Sequence, residues 1–114
     1  MAIQTMSEQR DSLNSEKDEK QFFYTEELTS PGNTDWILKP NGTDGMGVTL
    51  EISSGSGKVQ ATTSSVDDCI ANTAVAVDWD LGTVSGTVQD SCIQVTAIRA
   101  VNESGTIKLH AVAQ

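Results

Sequence analysis

From Trp36 onward the apolar positions recur with a period of two, broken by clusters of turn-forming residues. Trp36-Ile37-Leu38 is a short apolar run closed by Lys39-Pro40-Asn41-Gly42, where both the proline and the Asn-Gly pair signal a turn. Val48, Leu50 and Ile52 alternate with Thr49 and Glu51, the pattern of a strand with one buried face. Ser53-Ser54-Gly55-Ser56-Gly57 predicts a flexible turn, after which Val59, Ala61 and Thr63 resume the alternation. A strand over Ala74–Trp79 would set Val75, Val77 and Trp79 on one face, so these three are expected in the core with Leu50 and Ile52. Asp80-Leu81-Gly82 turns the chain into a strand over Thr83–Gln89. Cys92–Val101 predicts a longer strand, which Asn102-Glu103-Ser104-Gly105 turns into Thr106–Val112. One helical turn interrupts the series: Ser65 caps it, Asp67 and Asp68 face its free N–H groups, and Cys69 and Ile70 are expected to point inward. Roughly seven or eight short strands spaced by turn signals predict an all-β fold, an antiparallel β-sandwich or small barrel.

The first part of the chain reads differently. Residues 1–27 hold ten charged residues and no glycine, proline or valine, whereas all nine glycines lie between Gly32 and Gly105. Up to Lys20 the sizeable apolar residues beyond Ile3 are Met6 and Leu13, too few to offset the entropy of ordering the segment. A marginal helix over Ser7–Lys20 is compatible with its Glu, Gln, Lys and Arg content. The expected organisation is a flexible N-terminal arm over 1–21 and a β domain over 22–114. Phe22-Phe23-Tyr24 holds three of the five aromatic residues and marks either the first strand of the domain or a docking element; Glu26-Glu27 and Ser30-Pro31-Gly32-Asn33 are expected to stop it.

Composition narrows the function classes. At 114 residues the chain has room for one modest core, and with aromatics at 4% that core must be aliphatic. Sixteen acidic against seven basic residues give a net charge of −9, which disfavours nucleic acid and anionic membranes as partners. No apolar run approaches a membrane span, and Met1-Ala2-Ile3-Gln4-Thr5 lacks the basic and apolar regions of a signal peptide, so synthesis in a cytoplasm is expected. Two cysteines and one histidine cannot supply a four-ligand Cys/His zinc site, and no cofactor is expected.

The motifs that invite chemistry have simpler explanations. Gly55-Ser56-Gly57-Lys58 resembles the end of a phosphate-binding loop, but Ile52 stands where its first glycine belongs and Val59 where Ser or Thr should follow the lysine. Asp78 and Asp80 would lie about 7 Å apart on one strand face. With Asp90 or Asp44 they could approximate a calcium site, but no EF-hand spacing supports it, and solvation of an outer face accounts for them. Asn41-Gly42-Thr43 and Asn102-Glu103-Ser104 match the glycosylation sequon within expected turns. Cys69 and Cys92 are expected as reduced, buried small hydrophobes. His110, alternating with Lys108, belongs to no nucleophile–base arrangement, and no catalytic residue is assigned.

The stretches Val59-Gln60-Ala61-Thr62-Thr63-Ser64-Ser65-Val66-Asp67-Asp68, Ala74-Val75-Ala76-Val77-Asp78-Trp79 and Val95-Thr96-Ala97-Ile98-Arg99-Ala100-Val101-Asn102, with Gly105-Thr106 beyond, resemble small virion proteins of tailed bacteriophages, Thr/Val/Gly-rich β domains. Within that class the layout is similar to capsid decoration (cement) proteins, a compact β domain preceded by an arm. The resemblance implies a non-enzymatic virion protein, made in the host cytoplasm, that decorates and stabilises the capsid through lattice contacts. It implies the major capsid protein or another virion protein as partner, and a homo-oligomer, one candidate form being the trimer that such domains often build at lattice symmetry axes. The alternative is a tail, neck or fibre-associated β module that binds another virion protein or a host glycan. The apolar residues of the arm and the cluster behind it, Met6, Leu13, Phe22, Phe23 and Tyr24, are the expected partner-binding positions.

Overall fold

The computed structural model describes residues 3–10 and 20–114. Nine strands and one short helix follow in the order β1 (Ile3–Thr5), β2 (Ser7–Arg10), β3 (Lys20–Leu28), β4 (Gly32–Asn33), β5 (Trp36–Leu38), β6 (Gly45–Thr62), α1 (Val66–Ile70), β7 (Val77–Asp78), β8 (Val88–Ile93) and β9 (Ala97–Ala113). The fold is all-β. Its strands form one mixed, nearly barrel-shaped sheet in which β1 runs parallel to β5 and the other pairings are antiparallel.

Two long strands carry the architecture. β6 and β9 pair from Met46↔Ala113 to Thr62↔Ala97. The expected turns at Ser53–Gly57 and Asn102–Gly105 are not turns: the two segments lie opposite one another, with Gly55 paired to Gly105, inside continuous strands. The register shifts between Ile52 and Ser54 and again between Ser56 and Gly57, so each strand carries an extra residue there. Those bulges reverse the side-chain parity. Met46, Val48 and Leu50 are buried before them and Val59 after; Ile107, Leu109 and Ala111 are buried on one side and Ile98, Ala100 and Asn102 on the other. A change of parity normally turns a strand's apolar face to solvent. Here the strands also bend, so both halves face one core. A sequence rich in Ser and Gly suits a bulge as well as a turn, so local composition does not separate the two.

The bend is visible in the N-terminal strands. Thr5 lies opposite Leu38, which lies opposite Ala97 at the start of β9. Ser7 lies opposite Phe23, which lies opposite Val112 near its end. A straight strand would separate Ala97 from Val112 by about 50 Å, yet the path through neighbouring strands and Met6 is only about 26 Å. The sheet therefore folds back on itself, and β1–Met6–β2 clips its two halves together. Met6, 8% exposed, packs in the main apolar cluster with Ile37, Met46, Leu50, Ile98 and Leu109. The described part of the expected arm is thus strand: Ser7–Arg10 pairs with β3. Residues 11–19, including Leu13 and most of the expected helix over Ser7–Lys20, lie outside the described residues.

Other elements shift for identifiable reasons. β3 runs through Glu26-Glu27 to Leu28 because β9 supplies a partner along the whole segment. Thr83–Gln89 is not a strand as a unit: Val84 makes an isolated bridge to Gly57, and β8 begins at Val88. Leu50 and Trp79 are buried as expected, with Trp79 anchored by its indole N–H donating to the Gly82 carbonyl at 2.6 Å. Ile52, at the first bulge, is half-buried. Val75 and Val77 are not in the core; they are 69% and 62% exposed. β7 is a two-residue edge strand paired only with Gln60 and Ala61, and the chain before it leaves the ladder to follow α1, with the Val75 N–H donating to Ser64 Oγ.

Helix α1 covers the outer side of the second half-sheet. The Ser65 hydroxyl oxygen accepts from the Asp68 N–H at 3.2 Å, the expected cap. Cys69 is fully buried with Trp36 and Ala97, on the face opposite to Ile37 and Ile98. Ile70 is 51% exposed, because one residue further along a helix rotates the side chain about 100°.

Candidate docking surface

Six large apolar side chains are exposed among the described residues, and five of them fall in one connection: Val66, Ile70, Val75, Val77 and Leu81, with Ile93 on β8 as the sixth. Scattered exposed valines are ordinary, but this concentration is not. The connection leaves β6 at Thr62, forms α1, touches the sheet edge as β7 and crosses to β8. Val75 and Val77 line a groove of about 280 Å³ with Ala61, Thr62, Thr63 and Val95. The groove is mostly apolar and lies at an edge where β7 has a single neighbour. Such a surface can bury valines against another protein and offers the backbone groups of an unpaired edge.

The partner-binding positions expected from sequence do not form one surface. Met6 is in the core, Phe22 and Tyr24 pack half-buried against it, and Phe23 lies on the opposite face of β3. Leu13 lies outside the described residues. The Tyr24 hydroxyl donates to the Glu26 carboxylate. Its pKa is raised well above the ordinary tyrosine value by burial, by that hydrogen bond and by the charges of Glu26 and Asp35.

Several of the described acidic residues make local contacts. Asp78 accepts from Gln60 Nε2 at 2.9 Å and Lys58 Nζ at 3.2 Å, and these two hydrogen bonds hold its carboxyl below the usual range. Lys58 also lies 3.7 Å from Glu103. Among the described residues no three His, Cys, Asp or Glu side chains are grouped to hold a metal. Burial pushes both thiols up, Cys69 further by Asp68 and Cys92 by Asp90 and Asp80. The two cysteines are free and sit in separate apolar clusters. His110 Nε2 is 3.7 Å from Glu51 and has no hydrogen-bond partner among the described residues. The Asn102 amide, a sequon position, is buried: its nitrogen donates to the carbonyls of Leu28, Ser30 and Gly105 at 3.2, 3.0 and 2.8 Å. It serves the fold.

No family model and no curated protein matches the chain. Among solved structures, a chain of the Bacillus endospore appendages, described as a novel family of disulfide-linked pili, superposes with a TM-score of 0.48 at 12% identity, over 82% of this chain and 86% of that one.

One polar site has little sequence signal. Arg99 interrupts the apolar run Ala97-Ile98-Arg99-Ala100, the only hint that its position on β9 differs from its neighbours. Its guanidinium carbon lies 4.5 Å over the centroid of the Trp36 ring, and its Nε–H donates to Gln60 Oε1 at 2.9 Å.

Proposed function

We propose that the protein is a non-enzymatic virion structural protein that decorates a phage capsid, stabilising the shell by docking between capsid subunits. The observation that carries this reading is the concentration of exposed apolar side chains in the connection from Val66 to Leu81, where Val75 and Val77 line a mostly apolar groove. A decoration protein acts by adding buried interface to an assembled shell, so the shell is stabilised by mass action without chemistry. The net charge of −9 favours solubility of many free copies before they dock. Neither tryptophan supports the glycan-binding alternative: Trp36 is 1% and Trp79 6% exposed, so neither offers a bare ring on which a sugar could stack.

The test is co-sedimentation with undecorated capsids. A Val75→Glu/Val77→Glu variant should bind at least about tenfold more weakly than wild type, equivalent to ~1.4 kcal/mol, while melting at nearly the same temperature because both side chains are exposed in the free protein. Equal binding by the two proteins would remove the groove from the docking surface. Failure of wild type to bind capsids while binding tails or fibres would transfer the role to those structures.

A further inference from the structure

Arg99 is poised over a pocket of about 190 Å³ whose walls are Asn33, Thr34, Asp35, Trp36 and Asn72. Its Nε–H is used by Gln60 and its face by Trp36. Its terminal N–H groups have no partner among the described residues, and no carboxylate there forms an ion pair with it. In a chain with sixteen acidic residues that is unusual: Lys58, for comparison, meets both Asp78 and Glu103. Asn33 and Asn72 line the same pocket, and their side-chain amides have no partner among the described residues. Asp35 is engaged by Gln4, whose Nε2 donates to Oδ2 at 3.1 Å.

We propose that this pocket receives the carboxylate of an Asp or Glu side chain from a protein partner. Trp36 and Gln60 hold the guanidinium from two sides, so the fork is fixed before the ligand arrives and little rotamer entropy remains to be lost. A carboxylate accepts two parallel N–H bonds from such a fork, and the two asparagine amides supply further donors. Asp35 in the wall favours a singly charged group over a phosphate dianion and can accept the backbone N–H of the incoming segment. An acidic sugar fits less well, because the Trp36 ring is already covered by Arg99. The assignment rests on the reading of this protein as one that docks on another protein.

The test is titration of the isotope-labelled full chain, followed at the Arg99 Nε–H and the Asn33 and Asn72 side-chain amide signals. The probes are N-acetyl-aspartate N-methylamide, its asparagine counterpart and glucuronate. Saturable shifts with the aspartate probe, at least about tenfold weaker with the asparagine probe and lost in Arg99→Gln, are expected. Arg99→Lys, which keeps the charge and removes the fork, should weaken binding several-fold; Asn72→Gly, which removes the amide and suits the left-handed backbone at that position (φ 60°), should weaken it as well. Equal response to the aspartate and asparagine probes, or none at Arg99, would overturn the proposal. Tighter binding of glucuronate would overturn it in favour of an acidic sugar. These outcomes are independent of capsids: a wild-type protein that fails to dock on particles would sink the decoration role alone, whereas an Arg99→Gln variant that docks as well as wild type would sink the pocket alone.

Discussion

Gly105 distinguishes a continuous bent strand from a hairpin turn, and a single methyl group reads the difference. In the structure it has φ +76° and faces Gly55 across the two central strands. A Cβ added at Gly105 would lie 2.3 Å from the Ser54 carbonyl oxygen and 2.5 Å from its carbon, both backbone atoms of the partner strand. Gly105→Ala therefore has two costs. Holding alanine in the left-handed region takes about 1–2 kcal/mol. Spreading β6 from β9 to admit the methyl group takes about 1–3 kcal/mol more, in line with other overpacked sites. The total, about 2–5 kcal/mol, is a large share of the ~5–15 kcal/mol that holds a domain together. At about 4 °C per kcal/mol for a chain of this size, the melting temperature should fall by roughly 8–20 °C. Gly42→Ala is the control: Gly42 has φ +82° in a true turn, with nothing within 4 Å of the added Cβ, so only the conformational cost of about 1–2 kcal/mol applies. Urea denaturation of the two variants gives the steric part as a difference, provided the m-values agree. If the two substitutions cost the same within about 0.5 kcal/mol, Gly105 sits in an open turn and the continuous-strand architecture is wrong.

Asn102→Ala should cost about 1–3 kcal/mol in the same assay, since the Leu28, Ser30 and Gly105 carbonyls lose a buried donor; a cost near zero would mean that water reaches them. Met6→Ala should cost about 2–4 kcal/mol, because its side chain fills the main core where the N-terminal strands clip the two half-sheets; a surface-like cost below about 0.5 kcal/mol would detach that segment from the fold. The Asp78 carboxyl should titrate below the ordinary aspartate range and rise in Gln60→Ala and in Lys58→Ala, as followed by its carboxyl carbon shift. Because its folded-state pKa is depressed, whatever stability it contributes is present above the unfolded pKa and lost as the pH falls through the folded one; a midpoint unchanged in both variants would show that the hydrogen bonds are not formed in solution.

The all-β class was legible because period-two alternation is local: Val48 and Leu50 need only their neighbours to be recognised as one strand face, and Ser65 needs only the next turn to be recognised as a cap. What local patterns lack is the identity of whatever lies opposite. Ser53–Gly57 and Asn102–Gly105 have the composition of turns, and only their pairing with each other, some fifty residues apart in sequence, converts both into bulges within strands. Alternation likewise places Val75 and Val77 on one face without saying whether that face is covered; β7 ends the sheet there, so the residues most plainly patterned for a core form an exposed groove. Met6, one apolar residue in a polar segment, carries no periodic signal, and its burial follows from the fold-back of a sheet whose ends it joins. The Arg99 pocket assembles residues from β4, β5, β9 and the connection after α1. Side-chain pattern sets which face a strand buries; long-range pairing and bending set which faces meet, and the exposed valine groove and the arginine pocket both arise from the second.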